Sequence, residues 1–163
     1  MIVFFEISLF CVFLFIFFQD ESPSFWNTVE CFEVARVVEK VLASGVGMSV
    51  NDIGVVSPFY RQVRLIRSVL RSRELSAVRV ASVEDYQGQE EACLVVSCVR
   101  SSRQWLRSDA AHQLGLVHNS PLFNVCITRA QSLLLVVGNP SLLVVDPSWR
   151  HLLALCVRHN TYH

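Results

Sequence analysis

Two uninterrupted aliphatic runs constrain the fold of this chain more than any other feature. Residues 92–98 read ACLVVSC and residues 133–138 read LLLVVG. Neither alternates apolar with polar positions, so a strand made from either is apolar on both faces and needs cover on both. The neighbouring segments supply that cover. IGVV (53–56) and RVAS (79–82) are shorter strand signals, and the loop VEDYQGQE follows the second. Between them the spacing predicts a helix from about Phe59 to Arg73, with Val63, Ile66 and Leu70 on one side and Arg61, Arg64, Arg67 and Arg71 on the other. Upstream, Ser22-Pro23-Ser24 breaks the chain, and Asn27 three residues before Glu30 resembles a capping box. The helix it starts runs to about Ser44, with Val29, Phe32, Ala35, Val38, Val41 and Leu42 at helical spacing, and Gly45 and Gly47 close it. A polar loop is expected from Arg100 to about Asn119. Ser120-Pro121 then opens another helix, and Asp146-Pro147-Ser148 opens a last one bearing Trp149, Leu152, Leu153 and Leu155.

Strand and helix alternate from Ile53 onward without an Asn-Gly hairpin, which predicts an α/β sandwich around a mostly parallel sheet. Ligands in such sheets bind beyond the carboxyl ends of the strands. The segments expected there are 57–62, 82–90 and 138–140. A length of 163 residues suits one domain with a single core. Net charge is zero, but its distribution is uneven. Lys40 is the only lysine against thirteen arginines, and nine of these fall between Arg61 and Arg107 beside five acids. Arginine's planar fork suits phosphate contact, and a solvated helix face is the other reading of that cluster. The six cysteines are scattered, form no CxxC pair and find no histidine at metal-ligand spacing, so they read as reduced core residues and no metal site is expected.

The first eighteen residues, MIVFFEISLFCVFLFIFF, hold sixteen apolar side chains. They lack the basic flank and small-residue cleavage site of a signal peptide. Glu6 interrupts them, and no Lys or Arg precedes Arg36 to orient a membrane span. A buried strand, a chain start foreign to the domain behind it, and a membrane anchor are the readings left, the anchor the less favoured. Asp20-Glu21 after this run imitates a magnesium-holding acid pair. Such a pair works beside a GxxxxGK[ST] loop, and Lys40, preceded by Glu39, cannot supply one.

Three stretches together resemble motifs IV, V and VI of superfamily 1 helicases: IGVVSPFYRQV, VASVEDYQGQEEACLVVSCVRSS and FNVCITRAQSLLLVVGNP. The resemblance is to the Upf-like group, and within it to RNA helicases related to Moloney leukaemia virus 10 and Armitage. It covers residues 20–163 and leaves residues 1–19 outside as a hydrophobic segment. It implies a RecA-like three-layer sandwich of the P-loop NTPase type that lacks the P-loop itself: the second of the family's two RecA-like domains. The implied function is that half of an ATP-dependent RNA helicase, inactive alone, with ATP and Mg2+ held mainly by a first RecA-like domain in cis or trans.

By the same resemblance Arg129, in the TRA of motif VI, is the arginine finger, and Gln62, Gln87, Gly88 and Glu90 face the nucleotide. Arg61 and Arg64 are both candidates for a further nucleotide-side arginine, and both also fit the basic helix face. Ser57, Pro58, Ser82, Arg100 and Thr128, with Ser101, are the implied contacts to single-stranded RNA. The family also implies a cytoplasmic location, in ribonucleoprotein granules. The rival reading is a non-catalytic RNA- or protein-binding module on the same fold, held by the arginine face.

Overall fold

The computed structural model describes residues 8–9 and 25–161, so most of the hydrophobic N-terminal segment lies outside the described residues. The described elements are β1 (Ser8–Leu9), α1 (Thr28–Ala43), β2 (Ile53–Ser57), α2 (Tyr60–Ser72), β3 (Arg79–Ser82), β4 (Glu91–Ser97), α3 (Leu106–His112), α4 (Ser120–Thr128), β5 (Ala130–Val137), α5 (Pro140–Leu143) and α6 (Pro147–Arg158). The strands form one parallel sheet in the order β1-β5-β4-β2-β3. Register is set by β4 at the centre: Val95 lies beside Val55 on one side and Leu135 on the other.

Alternation along these strands sends successive side chains to opposite faces. Ile53, Val55, Val80, Cys93, Val95, Leu135 and Val137 pack with α1 and α2. Val56, Ala81, Leu94, Val96, Leu134 and Val136 pack with α4, α5 and α6. The outcome is the expected three-layer α/β sandwich of RecA-like type, with an apolar core on each side of the sheet. Each fully buried aliphatic side chain here contributes about 1.5–3 kcal/mol. The five described cysteines are buried and unbridged.

Two expectations about helices need correction. The apolar face of α1 is rotated: Cys31, Val34, Ala35, Val37, Val38 and Val41 are buried, whereas Phe32 is half exposed and Val29 is exposed. The reason is that α1 packs on α2 as well as on the sheet, so its buried stripe is wider than one face and centred elsewhere. The stretch 100–119 is not all loop either, because Asp109 is drawn inside and carries α3 with it.

The capping box at α1 is only half made. Asn27 Oδ1 accepts from Glu30 N at 3.1 Å as a cap should. Glu30 does not reach back, however. Its Oε1 accepts from Ser97 Oγ (2.6 Å) and from Val99 N (2.8 Å), and Gln62 Oε1 takes over the Asn27 N–H at 2.8 Å. The helix start is thereby tied to the end of β4 and the start of α2.

Candidate functional site

The residues singled out by sequence divide between two opposite edges of the sheet. Ser57 and Ser82 are the last residues of β2 and β3 and pair in register, so they mark the carboxyl edge. Val56, Ala81 and Val96 face α4 and α6, so Ser57, Ser82 and Ser97 face α1 and α2 by alternation. Ser57 Oγ is fully buried and makes no hydrogen bond to the protein. Ser82 Oγ accepts from Asp85 N at 3.1 Å, and Pro58 leads directly into the first turn of α2.

The amino edge is built by the other motif residues. Glu91 and Ala130, the first residues of β4 and β5, are paired, and Glu91 N donates to Arg129 O at 3.1 Å. Glu90 and Arg129, one residue upstream of each strand, are therefore neighbours. Arg129 Nη1 stands 4.0 Å from Glu90 Oε1, and Arg129 Nη2 donates to Thr128 Oγ1 at 2.9 Å. The side chain of Arg129 is 24% exposed and that of Glu90 52%, so the pair meets solvent rather than the core. Arg129 also follows the last turn of α4, where the helix dipole favours a cation. That accounts for an arginine between apolar segments: its backbone leads from α4 into β5, and its guanidinium leaves the interior. Gln131, which sequence reasoning missed, donates to Glu90 Oε2 at 3.3 Å.

The QG loop reaches this edge because Tyr86 anchors it. Tyr86 is fully buried, and its hydroxyl donates to Glu91 Oε1 at 3.1 Å. It lies directly over Gly54, where an added Cβ would come within 2.0 Å of the hydroxyl. The loop thus crosses from β3 at the carboxyl edge to β4 at the amino edge. Gln87 and Gly88 are exposed beside it, and Gly88 holds φ at +77° with open space around it. The expectation that the whole stretch 82–90 sits at the carboxyl ends is corrected: Ser82 does, and Glu90 sits at the opposite end of the sheet. Six residue steps along β4 put the edges roughly 20 Å apart.

Five of the expected site residues are not brought to their expected places. Arg100 is buried, its Nε donating to Asp109 Oδ2 at 2.6 Å and its guanidinium lying 3.7 Å from the Phe25 ring centroid. Its charge is met inside the protein by Asp109, so it is enclosed near the carboxyl edge rather than presented on it. Thr128 stands at the amino edge beside Arg129, away from Ser57, Pro58 and Ser82. Gln62 is fully buried below the carboxyl edge, with Nε2 donating to Asn27 O (3.2 Å) and Ser97 Oγ (3.0 Å). Arg61 and Arg64 lie on the outward face of α2, Arg61 stacked 3.6 Å from the Trp26 ring centroid, not beside Glu90. Ser101 follows Arg100 at the carboxyl edge, where its carbonyl accepts from Asn139 Nδ2 at 3.4 Å.

Below the carboxyl edge runs a buried polar network centred on Glu30 and Asn27, which lie outside the motifs. Glu30 is buried, and desolvation pushes its carboxyl up to about 7, against the pull of its bonds to Ser97 and the backbone of Val99 and Cys98. The same carboxyl and the side chain of Asn27 hold Val99 at φ +71°, a conformation costing a β-branched residue about 1–3 kcal/mol. Among the described residues no group of three or more His, Cys, Asp or Glu could hold a metal ion. No helix of the described residues is long and apolar enough to cross a membrane.

A family model described as an AAA domain matches residues 17–141. Among curated proteins, the RNA helicase Mov10l1 of Homo sapiens is 40% identical over 146 residues, spanning 88% of this chain and 12% of its own length. The probable RNA helicase armi of Drosophila melanogaster is 37% identical over 144 residues, with the same two shares. The putative helicase MOV-10 of Gallus gallus is 36% identical over 157 residues, covering 88% of this chain and 16% of its own. The chain thus spans between about one-eighth and one-sixth of the length of these relatives.

Proposed function

Since the chain belongs to this AAA-domain family of superfamily 1 helicases, with relatives named as RNA helicases, we propose that residues 20–163 are the second RecA-like domain of an ATP-dependent RNA helicase. The observation that carries this reading is the pairing of Arg129 with Glu90 at the amino edge, on the opposite side of the sheet from Ser57, Pro58 and Ser82. One edge then serves the nucleotide and the other the RNA backbone.

Arg129 is the arginine finger. Its guanidinium, held lightly by Thr128 and Glu90, turns to the γ-phosphate of an ATP bound across the cleft by the first RecA-like domain. A cation placed there stabilises charge that grows in the transition state. Glu90, steadied by Gln131, releases the finger and accepts ribose hydroxyls. The exposed Gly88, in a conformation open to glycine, brings backbone N–H groups close to phosphate. The acids at this edge make no Mg2+ donor set, so Mg2+ is assigned to the first domain and no step is routed through it here. At the carboxyl edge, Pro58 and Ser82 track the RNA backbone without reading bases, and Ser57, fully buried, does not reach it. The proposed site of action is the cytoplasm.

The test is phosphate release in the presence of RNA. The chain alone should release none. Joined to a first RecA-like domain of a relative, it should restore hydrolysis, and Arg129→Ala should lower the restored rate by about 10³-fold or more. RNA-stimulated turnover by the isolated chain, or an unimpaired Arg129→Ala fusion, would contradict this reading.

A further inference from the structure

Helix α2 carries Arg61, Arg64, Arg67 and Arg71 and no acid. Like charges along one helix face repel, and Arg61 in the first turn stands where the helix dipole disfavours a cation. The row therefore works against the helix that bears it. Some of these arginines have duties within the fold. Arg67 Nε donates to Val80 O at 3.0 Å, covering the open edge of β3, and Arg73 just beyond the helix pairs with Glu39 at 2.7 Å. The ion pairs of the described residues take up Arg36, Arg73, Arg79, Arg100 and Arg129; neither Arg64 nor Arg71 is among them.

Geometry gives the row a direction. The helix starts at Tyr60, just past the carboxyl edge, and ends at Ser72, before β3 starts again at the amino edge. Arg64 and Arg71 are two turns apart on its exposed side, about 10 Å along the axis. At the upper end the Arg61 guanidinium lies against the Trp26 ring, and Tyr60 is 64% exposed. An aromatic and guanidinium platform continued by a line of cations is the combination that holds single strands: π-faces for bases, charges for the backbone.

We propose that the outer face of α2 is a track for single-stranded RNA. Tyr60 and the Trp26–Arg61 stack receive nucleobases at the carboxyl edge, and Arg64 and Arg71 hold phosphates as the strand descends the helix. The track continues from the edge occupied by Pro58 and Ser82, so it rests on the reading that RNA crosses that edge.

The measurement is fluorescence anisotropy of the full chain with a labelled oligouridine over a series of potassium chloride concentrations. Far-UV circular dichroism checks that each variant folds. Arg64→Ala with Arg71→Ala should flatten the plot of log affinity against log salt by about 1.4, at roughly 0.7 per phosphate lost. Tyr60→Ala, and separately Trp26→Ala, should weaken binding about tenfold and leave the slope alone. Ser82→Ala separates the two claims. If it weakens binding while the α2 variants do nothing, RNA crosses the edge and the track is overturned. If the α2 variants act and Ser82→Ala does not, the track stands and Ser82 is removed from the RNA contacts. A chain that holds no oligouridine overturns the track as well, leaving the arginine row to a protein partner.

Discussion

Glu30 shows how much one side chain can decide. It looked like the second half of a helix cap, and it is instead a buried carboxyl that fastens the end of β4 to the start of α1. Burial raises it to about 7 from an ordinary 4.5. A raised acid stabilises the fold relative to the unfolded chain only while protonated. Its contribution is complete below about pH 4.5, fades as pH rises, and is gone above about pH 7. The span corresponds to about 3 kcal/mol. Urea unfolding should therefore show the chain losing stability between about pH 5 and about pH 8. Glu30→Gln, which keeps an acceptor for Ser97 and Val99, should be nearly flat over that range. Equal pH dependence in the two proteins would show that the carboxyl is not held neutral. Arg100 teaches the complementary lesson: its fork is answered by Asp109, nine positions along a stretch with no helical or strand period to announce it.

Among the elements, β2 is the one on which the amino edge depends, although no candidate catalytic residue lies on it. Gly54 is bare so that Tyr86 can lie across it, and Tyr86 in turn carries the QG loop to Glu91. Gly54→Ala would drive a Cβ to within 2.0 Å of the Tyr86 hydroxyl and 2.8 Å of Glu91 Cγ. Since Tyr86 is fully enclosed, the loop must shift as a whole. The expected cost is about 1–3 kcal/mol of stability by urea unfolding, with faster amide exchange confined to residues 83–91. Protection unchanged over that loop would mean that Tyr86 does not anchor it. Sequence suggested a glycine in a strand and a tyrosine in a loop as separate facts. Their contact depends on the loop crossing the sheet, which neither residue encodes alone.

At the scale of the molecule, the separation of the two edges carries its own prediction. With the candidate RNA and nucleotide residues roughly 20 Å apart, their effects on oligouridine affinity should not mix. Arg129→Ala should leave affinity for the isolated chain within about twofold of the parent, whereas Ser82→Ala should lower it severalfold by anisotropy. A large loss from Arg129→Ala would place RNA at the amino edge and collapse the division. The sandwich itself was legible because a continuous aliphatic strand admits few solutions: ACLVVSC and LLLVVG each need a helix layer above and below. The basic face of α2 was equally legible, since a 3.6-residue period is local. What could not be read locally was the sharing of work between distant segments. Which arginine meets an acid, which glutamine is buried, and which end of the sheet a loop reaches all depend on partners from nine to dozens of positions away. Chain spacing determined the elements and their apolar faces; only the packed sheet decided that Glu90 and Arg129 stand together while Arg100 and Gln62 are spent inside. The physical reason is that hydrophobic period acts over a few residues, whereas the pairing of buried polar groups is settled by whichever partner the assembled core brings within reach.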